Sequence, residues 1–217
     1  MESSEQPLVA RRSVGEWLFQ LATITIGVLI ALSFDSLLKW NADRMLVNEA
    51  RANIALEISG NRRELDAHLA SFDESVAKVD IGLKLVAEIE AGVEPSIHTV
   101  SLDFGFPSLS DAGWQTAERT SAIALMQYSE VQQLAEIYTL QSLFTGTIQP
   151  VFVAANEAGA IMNAPGDPFS LPSGREAIRA RLFELRAYLV LGQQLGQQLS
   201  NGYSKLSSSI ESSASRQ

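Results

Sequence analysis

Residues Trp17 to Phe34 read Trp-Leu-Phe-Gln-Leu-Ala-Thr-Ile-Thr-Ile-Gly-Val-Leu-Ile-Ala-Leu-Ser-Phe, without a single charge. At a helical rise of roughly 1.5 Å per residue the run covers about 27 Å, close to a bilayer's hydrocarbon thickness. A core helix of a soluble protein shows a polar stripe within that distance. Here only Gln20, Thr23, Thr25 and Ser33 are polar, and they are scattered. Trp17 and Trp40 stand near the two ends, where indole rings favour the headgroup layer. Asp35 and Lys39 follow at i, i+4 spacing, suited to pairing at the interface. The sequence predicts a transmembrane anchor over 13–40, opened by a capping box at Ser13-Val14-Gly15-Glu16.

A cleaved signal peptide is the competing account of the same run, because Ala31-Leu32-Ser33 offers small residues at cleavage-type positions. The run is longer than a usual signal core, and no proline interrupts the chain between Pro7 and Pro95, so the helix has no reason to stop at its end. Arg11 and Arg12 precede the run, whereas Lys39, Arg44 and Arg51 follow it, which weakly opposes an N-terminus-inside orientation. That rule loses force beside a long translocated domain. The expected topology is a polar, disordered cytoplasmic arm over 1–12 and an extracytoplasmic domain over 41–206.

Beyond the anchor, Ile58, Leu65, Leu69, Phe72, Val76, Val79, Leu83 and Val86 form a seam that from Leu65 on alternates four and three apart. That is the repeat of a helix packed along its length on another. Arg62 falls between Ile58 and Leu65 and implies a wet or charge-paired layer. Gly92-Val-Glu-Pro95 ends this helix, glycine past the last turn and proline shortly after. Val100, Leu102 and Phe104 then alternate with polar residues but have no pairing partner. An extended connection is expected, with Phe104, Phe106 and Leu109 packed on the helices.

Asp111 is placed to cap a short helix to about Gln127, and Ser129 with Gln132 to open another that reaches about Asn163 with a kink at Pro150. Ala164-Pro-Gly-Asp-Pro168 is a loop by composition. Ser173-Gly-Arg-Glu176 is a further capping box. Ile178, Leu182, Leu185, Leu189, Gly192, Gly196, Leu199, Tyr203, Leu206 and Ile210 follow in unbroken four–three alternation. Gly192 and Gly196 mark close helix approach, and the serine-rich tail 207–217 is expected to fray. The predicted fold class is all-α: one N-terminal transmembrane helix followed by an antiparallel bundle of about four helices.

From Asn41 on there are 21 acidic against 13 basic side chains, and the whole chain carries −9. Such a surface repels phosphate backbones, and no basic patch with aromatics offsets it, so no nucleic-acid partner is expected. With no cysteine, disulfides, thiolate metal sites and cysteine nucleophiles are excluded. Phosphate-binding glycine loops, the serine elbow and the His-Glu-x-x-His pattern are absent, and nothing singles out a carboxylate pair. Neither an enzyme nor a cofactor is therefore expected.

Three constellations remain. Gln20, Thr23, Gly27 and Ala31 share one face of the anchor; the small residues suit close approach of another membrane helix, a second copy or a different protein, and Gln20 is placed to hydrogen-bond across. Glu57, Asn61, Glu64 and His68 form a polar stripe. Its Glu-x-x-x-His spacing misses the Glu-x-x-His of di-iron bundles, and the other histidine, His98, lies in no motif. Phe104, Phe106, Trp114, Glu118 and Arg119, with Gln115, are the nearest thing to a partner-binding patch, although covering the core is the favoured reading of Trp114 and the two phenylalanines.

At the membrane junction, Ile26-Gly-Val-Leu-Ile-Ala-Leu32, Trp40-Asn41, Arg44, Glu49 and Glu57 resemble an uncharacterised family of bacterial single-pass membrane proteins. The resemblance implies an inner-membrane anchor and a periplasmic helical domain, and it brings no catalytic residues. The expected function is an accessory or scaffold subunit whose partners are the lipid bilayer and other membrane proteins or itself. The alternative is a small-ligand sensor, although such sensors normally return through the membrane to a cytoplasmic output domain. Fold analogy alone does not choose between the two.

Overall fold

The computed structural model describes residues 14–97 and 100–214. Among them every regular element is helical: α1 (Val14–Glu90), α2 (Ala112–Arg119), a 3-10 turn (Ala122–Leu125), α3 (Tyr128–Gly146), α4 (Ile148–Met162) and α5 (Pro172–Ala214). The chain divides into two compact units, Met1–Asn48 and Glu49–Gln217. Arg11, Arg12 and the Ser13–Glu16 capping box lie outside the residues whose side chains are described.

Within the first unit, every side chain from Trp17 to Trp40 is exposed. This part of α1 is long and apolar enough to cross a membrane. The hydroxyls of Thr23, Thr25, Ser33 and Ser36 donate to the carbonyls of Phe19, Leu21, Leu29 and Leu32 at 2.7–2.9 Å. Those bonds lower the cost of placing hydroxyls in hydrocarbon. At the far end of the run the Arg44 guanidinium sits 5.5 Å from the Trp40 ring centre, a cation–π contact.

The second unit takes its core from the heptad pattern, with one revision. Ile54, Ile58, Leu65, Phe72, Val79 and Val86 are each at most 2% exposed, so the seven-residue half of the predicted seam is buried. Its other half is not Leu69, Val76 and Leu83, which are half-buried, but Asn61, Ser75 and Gly82. The helix turns the smaller, more polar row inward because neighbours come close there. A Cβ on Gly82 would lie 3.1 Å from Leu182 and 3.4 Å from Val100. Arg62 accordingly lies beside the core and pairs with Asp66 at 3.5 Å.

On α5, each predicted seam residue from Ile178 to Leu206 is buried, and the Ile210 side chain lies outside the described residues. Three cross-links fix its register on α1: Arg186 to Asp80 at 2.6 Å, Gln193 to Asp73 at 2.5 Å and Ser200 to Asp66 at 2.5 Å. Each advance of seven residues on one helix is a retreat of seven on the other, so the two run antiparallel with heptad spacing. Arg179 and Glu90 extend the ladder. Gly192 faces Phe72 and Thr147, at 3.0 and 3.1 Å from where a Cβ would stand. Gly192→Leu is expected to overpack this layer and cost about 1–3 kcal/mol. Thermal unfolding of the detergent-purified chain by circular dichroism checks it, and an unchanged transition would mean that the layer has room to spare.

Helix boundaries follow backbone chemistry rather than the expected capping boxes. α1 ends in a Schellman turn: Gly92 has φ +66°, its N–H donates to Ile89, and Val93 N–H donates to Glu88. The expected helix to Gln127 is interrupted, because Ser121 adopts φ 61° between α2 and the 3-10 turn. α3 begins at Tyr128, which puts Ser129 inside its first turn, and Gln132 bonds Glu136 instead of reaching back. α5 begins at Pro172, so Ser173 is likewise inside the helix. Proline is suited to that first position, where its missing N–H costs nothing. The helix expected to run on to Asn163 breaks at Thr147, one turn before Pro150, which cannot donate to the Gly146 carbonyl. Thr147 covers the break by donating its hydroxyl to Phe144 O at 2.7 Å.

Between α1 and α2 the chain returns along α1 as an extended strap. Ser96 bonds Glu88, Val100 lies by Gly82, and Lys78 reaches Asp103 O at 3.0 Å. Further along, the Phe106 ring sits 5.7 Å from that of Phe72. The Ser96 N–H is the main reason the Glu88 carboxyl titrates below its ordinary range. Alternate residues Val100, Leu102, Phe104 and Phe106 are half-buried, as the sequence pattern implies, although no strand forms among the described residues.

Candidate functional site

The polar stripe on α1 is where the strap is fastened. Glu57, Asn61, Glu64 and His68 recur at three- and four-residue spacing, so all lie on one face of the helix. Asn61 brackets Ser110 of the strap, accepting its N–H at 2.8 Å and donating to its carbonyl at 2.6 Å. The same carbonyl accepts Gln141 Nε2 of α3 at 2.9 Å. Gln141 Oε1 in turn accepts the Asn61 amide at 3.2 Å and the Tyr203 hydroxyl of α5 at 2.5 Å. Asn61 is 5% and Gln141 4% exposed, so this carboxamide pair ties α1, α3, α5 and the strap together inside the core.

One turn earlier, Glu57 works as a helix cap supplied from another element. Its carboxylate accepts the Gly113 N–H at 2.8 Å and, more weakly, the Trp114 N–H at 3.4 Å. It also accepts the Ser110 hydroxyl at 2.8 Å and the Tyr138 hydroxyl at 2.5 Å. Asp111, the residue expected to cap α2, makes no side-chain cap bond. Glu57 takes that place because α2 begins directly against α1. A Cβ on Gly113 would stand 3.2 Å from the carboxylate, a spacing that favours glycine. Trp114 stacks on Tyr138, ring centres 5.1 Å apart and planes 20° from parallel. This contact holds the Trp114 ring half-buried against α3.

Chemically, the Glu57 carboxylate is committed. Its oxygens accept from four donors, and the phenol beside it is held neutral. Burial first, and the Glu57 hydrogen bond second, raise Tyr138 far above the ordinary tyrosine range. Burial likewise raises Tyr203. Groups whose folded pKa lies above the unfolded value stabilise the fold fully below the unfolded value, about 10 for tyrosine, and that contribution is lost as pH rises past it. Alkaline titration of the full chain is therefore expected to show the tyrosinate absorbance of these two residues appearing together with loss of helix. Tyr138→Phe should move the alkaline unfolding midpoint upward; ionisation of both while the helix signal is intact would contradict the account.

The remaining expected residues are not gathered into this site. His68 Nδ1 lies 2.9 Å from Glu64 O and 3.7 Å from the Glu64 carboxylate, which receives the Ser108 N–H at 3.5 Å. His98 is outside the described residues. No group of three or more metal-ligating side chains occurs among the described residues. Phe106 packs between Phe72 and Phe152, 5.2 Å from the latter, and Phe104 is half-buried. Glu118 and Arg119 are exposed at the end of α2, and Arg119 bonds Gln115 at 3.2 Å. Gln20, Thr23, Gly27 and Ala31 are exposed on the anchor, with nothing within 4 Å of where a Gly27 Cβ would be. Trp17, Asp35, Lys39 and Trp40 are likewise exposed.

Gln141 and Tyr138 escaped the sequence reading. The available signal was Leu134, Tyr138 and Gln141 at four–three spacing, which puts a carboxamide at a core position of α3. At the base of the unit, Arg51 and Glu130 form a two-pronged pair at 2.7 and 2.6 Å, and the hydrogen bond to Glu130 raises the Arg51 pKa. Comparison with protein-family models, curated proteins and solved structures finds no match for this chain.

Proposed function

We propose that this chain is a membrane-anchored structural or interaction protein, an accessory or scaffold subunit of a bacterial membrane protein complex rather than an enzyme. Trp17–Phe34 lies in the inner membrane, and α1 beyond it, α3 with α4 running parallel to it, and α5 running antiparallel make a helical bundle in the periplasm. The observation that carries the reading is what the polar core does. Glu57, Asn61, Gln141, Tyr138 and Tyr203 direct their hydrogen bonds at one another, at Ser110 of the strap and at the first turn of α2. A constellation arranged in this way holds a shape, and a shape held above a membrane anchor suits contact with other proteins.

Two measurements test it. Alkaline carbonate should leave the full chain in the membrane pellet; release of the intact polypeptide would refute the anchor. Mild-detergent purification from native membranes, followed by mass spectrometry, should recover a fixed set of membrane proteins. A lone monomer carrying a small molecule would favour the sensor alternative instead.

A further inference from the structure

The end of the second unit at which α1 enters, near Glu49, has an uncharged edge. Residues 120–129 read Thr-Ser-Ala-Ile-Ala-Leu-Met-Gln-Tyr-Ser. Ala122 and Met126 turn inward and are buried, whereas Leu125 is 48% and Tyr128 84% exposed. Tyr128 is thus more open than any large apolar side chain of the run Trp17–Phe34, the most open of which is Phe19 at 77%. Its position at this end follows from bonds within the unit. Arg51 holds Glu130, two residues past Tyr128, and α3 then runs parallel to α1, with Tyr138 on Glu57 and Gln141 on Asn61.

We propose that this edge, with Leu125 and Tyr128 at its tip, is a second contact with the lipid surface. The proposal rests on the anchor reading above. Three observations favour lipid as the occupant. The chain from Trp40 to Glu49 is nine residues, and as helix it covers only about 14 Å, which keeps the start of the unit near the headgroups. Tyrosine is the side chain suited to that layer, its ring apolar and its hydroxyl wet. The flanking charges are Glu118 with Arg119, the Arg51–Glu130 pair and Glu49, a net of only −1, while the rest of the domain is acidic and is held off anionic lipid.

The absence of cysteine makes the test direct. Full-length Leu29→Cys, Leu125→Cys, Tyr128→Cys and Phe183→Cys variants each carry one environment-sensitive dye in vesicles of phosphatidylcholine and phosphatidylglycerol, with nitroxide on the headgroup or the acyl chain. Phe183 is 55% exposed and lies one turn from Arg186, the partner of Asp80, far from the entering end. The expected result is quenching of position 29 by acyl-chain nitroxide, of 125 and 128 by headgroup nitroxide, and of 183 by neither. If position 29 is not quenched, the anchor reading fails and this inference with it. If 29 is quenched while 125 and 128 behave as 183 does, only the surface contact is overturned. A dye at 128 that emits as if shielded from water yet escapes lipid quenching also overturns it, since protein then covers the edge.

Discussion

Glu57→Ala is expected to free the start of α2 and to cost the folded chain about 2–4 kcal/mol. The substitution removes a helix cap, typically worth about 0.5–2 kcal/mol, and leaves the largely buried Tyr138 hydroxyl without its acceptor, at about 1–3 kcal/mol more. The effect should be local before it is global. Trypsin cleavage after Arg119, exposed at the far end of α2, is expected to accelerate well below the unfolding temperature, because that helix is held at its beginning by Glu57. Glu57→Gln keeps the shape and one acceptor oxygen and should lie between wild type and alanine. Equal cleavage rates in all three proteins would show that the strap is fixed by its aromatic contacts alone.

Gln141→Leu should be the more damaging change, about 3–5 kcal/mol despite its similar volume. It strands the Tyr203 hydroxyl, one Asn61 amide proton and part of the Ser110 carbonyl in a core that water does not reach, each at about 1–3 kcal/mol. Pairing it with Tyr203→Phe removes one stranded group, so the double mutant should be more stable than the sum of the two single effects predicts. Urea unfolding of the four proteins in detergent reads the coupling. Strict additivity would place the two side chains in separate environments.

These residues also mark how far the sequence could be read. The apolar run, the ending at Gly92 and the α5 seam were legible because each rests on a single periodicity or a single backbone requirement. The α1 seam was half legible. Stepping from Ile58 to Leu65, Phe72, Val79 and Val86 needs only the seven-residue repeat, but choosing Leu69 over Asn61 and Ser75 followed hydrophobicity alone. Asn61 turns inward because Gln141 and the strap backbone supply its partners, 80 and 49 residues away in the chain, whereas Ser75 is satisfied by the Ser71 carbonyl of its own helix and Gly82 fits by its small size. Capping boxes failed for a related reason: Ser129 and Ser173 fit the local pattern, but the helices start a residue or more earlier, at Tyr128 and at Pro172. The Glu57 cap could not be found by a local rule at all, since it lies more than fifty residues from the N–H groups it receives.

The parallel course of α1 and α3 makes the strap a measure of length. Between Asn61 and Glu90 the helix rises about 44 Å at 1.5 Å per residue. The chain must come back over that distance in the eighteen steps from Gly92 to Ser110. Wound as helix those steps would reach only about 27 Å, whereas drawn out they reach about 60 Å. The return segment is therefore obliged to be straight, whatever its side chains prefer, and it has slack for only a few deletions. Lengthening the outgoing helix by a heptad would consume most of that slack, so beyond one heptad the two spans of sequence can change in size only together.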